Sequence, residues 1–203
     1  MASSMRLTKQ TLDVRTLGGV YGTGVLTPDG ATGILANQTC QIFQDQLGAG
    51  TTSNLVQTNA DSNLFGGRIP NGEVYTLFGF QVQFQWKVNA TNLPVIQTAA
   101  LYEQALANVE MKLHMKGQEY IIGNVKPLSC GLGTNGMPMN GGRAVAPFRF
   151  PAELPIQLTS NDSWFVTMTT RRPIIDGAGL NALSIFIYCP ASRGIPIGQL
   201  SGA

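Results

Sequence analysis

The sequence predicts an all-β protein, an antiparallel two-sheet sandwich, and three observations carry that expectation. Residues 74–88 carry apolar side chains at nearly every even position, and from Gln81 onward polar ones alternate with them. Short periodic segments follow one another between glycine- and proline-rich turns. No alternation of strand patterns with helix patterns points to a parallel sheet. The chain has 203 residues, enough for one core without disulfide staples, and holds 24 glycines and 11 prolines.

Residues 1–17 are polar and mixed, with Arg6, Lys9 and Arg15, and read as an arm. Residues 18–33 carry six glycines and the turn signal Pro28-Asp29-Gly30. Residues 39–47 alternate loosely and read as a strand. Residues 48–63 are rich in Thr, Ser and Asn and read as a surface loop with a short strand at Leu55-Val56.

The clearest signal lies at 74–88. Val74, Thr76, Phe78, Phe80, Val82, Phe84, Trp86 and Val88 occupy the even positions, and from Gln81 onward the odd ones are Gln81, Gln83, Gln85 and Lys87. Only a period of two gathers these apolar groups on one side. A straight strand of this length would span about 50 Å, longer than most. Gly79 is expected to mark a bend where the strand leaves one sheet for another. Phe78, Phe80, Val82, Phe84 and Trp86 are all expected to face a core.

A short helix is expected after Thr91-Asn92-Leu93-Pro94, with Val95, Ala99, Tyr102 and Leu106 on one face. A hairpin follows. Val109, Met111, Leu113 and Met115 alternate with Glu110, Lys112, His114 and Lys116, Lys116-Gly117 makes the tight turn, and residues 118–125 return. Residues 129–142 read as a long glycine-rich loop. Residues 143–150, 154–158 and 163–170 are further strands, with Trp164, Val166 and Met168 facing inward in the last. Residues 183–189 are apolar on both faces and read as a central, doubly covered strand. The expected organisation is an arm at 1–17, a jelly-roll-like sandwich domain of about eight strands with one inserted helix at 18–190, and a tail at 191–203.

Composition narrows the function. Charged residues make up 12% of the chain, about half the usual share, and the net charge is +2. That balance does not call for strong nucleic-acid binding. Cys40, Cys130 and Cys189 are odd in number and widely spaced, so free buried thiols are expected rather than a disulfide framework or a zinc site. Residues 1–17 lack the apolar stretch of a secretory leader, and no apolar run is long enough for a transmembrane helix.

No catalytic set stands out. His114 is the one histidine, and it falls on the polar side of its hairpin. A serine or cysteine nucleophile would need it as base. Nucleophile elbows, zinc-protease helices and phosphate-binding glycine loops are all missing. Glu73, Glu110, Glu119 and Glu153 are the carboxylates that could form a glycosidase pair, with Asp162 and Asp176 at strand ends, but no spacing selects a pair. Arg171-Arg172-Pro173, with Arg143 and Arg149, reads as strand-end charge rather than an RNA surface. The expectation is a non-enzyme with no catalytic, cofactor-binding or metal-binding residues and no cofactor.

The segments Gly72-Glu-Val-Tyr-Thr-Leu-Phe-Gly-Phe80, Gly117-Gln-Glu-Tyr-Ile-Ile-Gly-Asn-Val125 and Phe150-Pro-Ala-Glu-Leu-Pro-Ile156 are similar in style to virion proteins of bacterial viruses. Together with the arm, the strands, the inserted helix and the long loops, the chain resembles a viral jelly-roll capsid protein over residues 35–190. The resemblance implies a shell subunit, found in the virion and assembled in the host cytoplasm. Its partners would be copies of itself in a symmetric shell and other virion proteins. The weakly charged arm departs from arms that bind a genome. The alternative is a carbohydrate- or receptor-binding sandwich module of a virion or cell surface. That reading wants exposed aromatics, whereas Trp86 and Trp164 fall on apolar faces.

Overall fold

The computed structural model describes residues 13–16, 19–88, 99–126, 148–149, 156–175 and 181–195. In chain order the elements are β1 (Asp13–Thr16), β2 (Val20–Leu26), β3 (Gly33–Ile34), β4 (Thr39–Ile42), β5 (Val74–Leu77), β6 (Gly79–Val88), α1 (Ala99–Asn108), β7 (Val109–Met115), β8 (Gln118–Asn124), β9 (Phe148–Arg149), β10 (Ile156–Thr159), β11 (Trp164–Thr170), β12 (Ile174–Ile175), β13 (Asn181–Cys189) and β14 (Ala191–Ile195). The all-β class expected from the sequence is what the chain adopts, and every described strand pairing is antiparallel.

Two four-stranded sheets face each other, ordered β2-β13-β6-β9 and β4-β11-β7-β8. Period two in their strands builds the core between them. From the first sheet come rows such as Leu26–Leu183–Trp86, and from the second Ile42–Val166–Leu113 and Cys40–Met168–Met111, all essentially buried. Trp164, Val166 and Met168 do face inward. Ala105 and Leu106 bring α1 into the same core. The proposed helix start at Thr91 to Pro94 lies outside the described residues, as do the loop at 129–142 and most of 143–150.

The expected long strand is split. Its first part, β5, pairs with β10 and β14 in a further sheet ordered β1-β14-β5-β10, while β6 pairs with β13 and β9. The bend falls at Phe78, whose N–H donates to the Pro190 carbonyl at 2.8 Å. Pro190 is where β13 gives way to β14, so two neighbouring strands turn the corner together. The break also changes parity. Phe80, Val82, Phe84 and Trp86 are buried as expected, but in β5 it is Leu77 that is buried, and Phe78 is 40% exposed. A one-residue offset moves every side chain to the other face.

Other expectations are corrected. Asp13–Thr16, assigned to the arm, and Ala191–Ile195, assigned to the tail, are strands that pair with each other. The strand expected at 39–47 stops at Ile42, where Phe43 takes a φ of 77°. No strand forms at Leu55-Val56. Within the glycine-rich stretch 18–33 lies β2, which the sequence did not reveal. Gly22 and Gly24 sit at its core-facing positions because β4 comes too close for a side chain. A Cβ on Gly22 would stand 2.5 Å from Phe43 Cε1 and 2.6 Å from Ile42 Cγ2.

Candidate functional site

Among the described residues, three surfaces gather polar and aromatic side chains that could act on a ligand or partner. The first is the outer face of β11, β7 and β8, which holds His114. Lys116 and Gly117, at φ of 55° and 74°, make the tight turn that sets this hairpin's register. His114 therefore stands opposite Phe165 on one side and Glu119 on the other. Its ring stacks on Phe165 at 4.3 Å and 9°, and Nε2 lies 2.9 Å from the Thr167 hydroxyl. Glu119 Oε2 is 3.9 Å away. His114 does lie on the polar side of its hairpin, where cross-strand neighbours hold it. The neighbouring Glu119 accepts from Lys112 Nζ at 2.6 Å, which lowers the carboxyl below its usual range. No serine or cysteine nucleophile is among these partners of His114.

The second surface is the loop 43–67. Asp45, almost fully buried, receives the N–H groups of Thr52 and Ser53 and both their hydroxyls. Burial pushes the Asp45 carboxyl up, but these donors outweigh it and hold it below the usual value. The loop is laced to β2. Val25 N–H donates to Ser53 O, Asn63 N–H to Tyr21 O, and Gln57 Nε2 to Thr23 O. It is laced to β4 as well, where Gln41 N–H donates to Thr52 O. On this rigid frame Val56 and Leu47 are 63% and 57% exposed. The loop closes on β11, where Trp164 N–H donates to Gly67 O and its ring stacks on Phe43 at 4.7 Å.

The third surface is the outer face of β2 and β13. Phe186 and Tyr188, expected under a second cover, are half-buried instead. Phe186 stacks with Tyr21 at 6.1 Å, and Gln83 and Gln81 stand opposite Phe186 and Tyr188. Tyr21 directs its hydroxyl to Asn59 O. The signal for this face was present in the sequence as aromatics at alternate positions of β13, masked by the apolar run between them.

Among the described residues, the carboxylates considered for catalysis are engaged by other groups of the chain. Glu73 binds the Arg193 guanidinium through both oxygens, with Nε at 2.7 Å. Glu110 is clasped the same way by Arg171, with Nε at 2.6 Å, and its carboxyl is lowered as a result. Asp162 caps Thr159 N–H at 2.7 Å. Beside the first pair, burial and the Glu73 charge push the Tyr75 hydroxyl up to about 12. Glu153, Asp176 and Arg143 lie outside the described residues. Cys40 and Cys189 are free thiols within the core, and burial pushes Cys40 up to about 12. A thiol so protonated is a poor nucleophile. Cys130 lies outside the described residues. Among the described residues no group of three or more His, Cys, Asp or Glu side chains could hold a metal ion. No described helix is long and apolar enough to cross a membrane.

No protein-family model matches the chain, and no curated protein and no solved structure matches it either.

Proposed function

We propose that this chain is a structural virion protein, a jelly-roll capsid subunit of a bacterial virus that assembles with copies of itself or partner proteins into a shell. The observation that carries the reading is strand order. Taking β2, β4, β6, β7, β8, β9, β11 and β13 as successive strands one to eight, the facing sheets run one-eight-three-six and two-seven-four-five. Two interlocked Greek keys produce this order, and the jelly roll is the architecture of viral shells and of lectins. Surface chemistry adds to it. Glu73, Glu110 and Glu119 are engaged by cations of the same chain. Leu47 and Val56 are held out to solvent by a loop that is rigid before any partner arrives, which lowers the entropy cost of contact. On this reading the chain is not an enzyme and needs no cofactor. It works in the virion, after assembly in the host cytoplasm.

Electron microscopy and light scattering of the purified full-length chain, alone and with other virion components, test the reading. Particles or defined oligomers are expected, and a monomer under every condition would refute it. Because Asp13–Thr16 is a strand, a truncation that probes the arm ends at residue 12. It is expected to weaken assembly while leaving the melting temperature unchanged. A second reading, carbohydrate or receptor binding, draws on the Tyr21, Phe186 and Tyr188 face beside Gln81 and Gln83. Glycan binding by a monomer, lost in Phe186→Ala, would favour it.

A further inference from the structure

We propose that β8 is a pairing edge for a second copy of this chain, joined antiparallel about a two-fold axis at Tyr120. One sheet would then run through both copies. The inference deepens the self-assembly reading and rests on it for its place in a shell.

The argument begins with the edges of the two facing sheets. The β2 and β4 edges are closed by the loop 43–67 through Val25, Asn63 and Gln41 N–H groups. The β9 edge is two residues long. The β8 edge is seven residues long, and among the described residues no backbone hydrogen bond reaches Glu119 or Ile121 from outside the hairpin. It carries no proline, and the ladder stays regular from Met115 opposite Gln118 to Lys112 opposite Ile121. An open edge of this kind is a template for another strand.

The side chains say which strand. Tyr120 stands at the end of the core row Ile42–Val166–Leu113, opposite Leu113. The other three are buried, yet Tyr120 is 45% exposed, because the row runs out at β8. Ile121, on the outer face opposite Lys112, is 68% exposed. The apolar content of both faces continues past the last strand.

The register follows from the turn. A two-residue turn closes on a hydrogen-bonded pair, here Met115 and Gln118. Alternation along an antiparallel ladder then points the N–H and C=O of Gln118 and Tyr120 to β7, and those of Glu119 and Ile121 outward. Only outward-facing residues can form the bonded pairs of a new ladder. Glu119 opposite itself would set two carboxylates together. Ile121 opposite itself would bring in Gly123, which lies beyond the bulge at Ile122. Glu119 opposite Ile121 of the partner subunit uses both residues of both copies and gives roughly four backbone hydrogen bonds. It also places Tyr120 against Tyr120 of the partner subunit as the close, non-bonded pair on the axis, so that the exposed ends of the two core rows cover each other.

The test is site-directed cross-linking in the full-length chain, with Cys130→Ser in the background and Cys40 and Cys189 buried in the core. Residues in a non-bonded antiparallel pair have Cα atoms about 4.5 Å apart, within the roughly 4.4–6.8 Å that a disulfide spans. Tyr120→Cys is expected to form a covalent dimer on mild oxidation. Ile121→Cys, though more exposed, lies off the axis and should cross-link far less. A charge pair of variants supplies the second readout. Ile121→Glu sets a carboxylate opposite Glu119 of the partner subunit, twice over by symmetry, and should weaken dimerisation by about tenfold. Ile121→Lys should leave it unchanged or strengthen it. Equal cross-linking of the two cysteine variants, or equal effects of the two charges, would overturn the inference. If the chain assembles but Tyr120→Cys does not cross-link, the inference fails and the shell reading stands. If the chain is monomeric at every concentration, both fail.

Discussion

Among the described residues, the two seven-residue edge strands β2 and β8 are treated in opposite ways. Along β2, the loop 43–67 supplies a backbone carbonyl at Ser53, itself anchored by the buried Asp45, an amide at Asn63 and a side-chain amide at Gln57. Along β8, nothing described fills the equivalent positions, and Tyr120 and Ile121 face solvent. Unpaired edge groups are an aggregation hazard that proteins usually blunt. The pairing proposed above would close the β8 edge with a second copy of the chain, as the loop closes β2. On the proposed pairing, the difference teaches that one hazard has two remedies, a loop of the same chain along β2 and a second copy of the chain along β8.

The largest expected effect comes from breaking the closed edge. Asp45→Ala removes the acceptor of buried donors from Thr52 and Ser53 and should cost about 3 kcal/mol in urea unfolding. The Val25 amide should then exchange faster, since its acceptor is Ser53 O. The same residue gives a pH signature. Its folded carboxyl lies below the ordinary value near 3.9, so its contribution is full above that value. It is lost as pH falls through the lower, folded one. Asp45→Ala should flatten that part of the stability profile, and acid titration of both proteins checks it.

Next in size is Gly22→Ala, at about 2 kcal/mol in the same unfolding assay. The added methyl would meet Phe43 and Ile42 and push β2 away from β4. His114→Ala should have the smallest effect, about 1 kcal/mol, from the loss of the Thr167 hydrogen bond and the Phe165 stack. A large drop in thermal stability for that variant would show that the outer face of β7 contributes more than its exposure suggests.

How much of this was legible depends on how local each cause is. The alternation in β6, β7 and β11 and the Lys116-Gly117 turn were readable, because period and turn chemistry are written in adjacent residues. The bend between β5 and β6 was readable as a position, at Gly79, but not as a change of parity. Even-numbered apolar residues run straight through it, and only the exposure of Phe78 and the burial of Leu77 reveal the offset. The strand β2 was hidden because two of its core positions are Gly22 and Gly24, whose absent side chains make room for residues of β4. The strands β1 and β14 are short and pair across nearly the full length of the chain, a contact no local pattern announces. Asp45 fell inside the segment 39–47 read as a strand, and nothing local pairs it with Thr52 and Ser53. On the side of function, the ion pairs of Glu73 with Arg193 and Glu110 with Arg171 join residues far apart in sequence, so their carboxylates could not be removed from the catalytic candidates by inspection.

Hydrogen exchange, read residue by residue at low and high protein concentration, tests most directly the claim that one edge is closed by the chain and the other by a copy of it. The amides of Val25 and Gln41 should be protected at both concentrations. Those of Glu119 and Ile121 should exchange freely in dilute solution and become protected as the chain associates. Protection of Ile121 in the dilute monomer, or its free exchange within an assembled particle, would contradict the account.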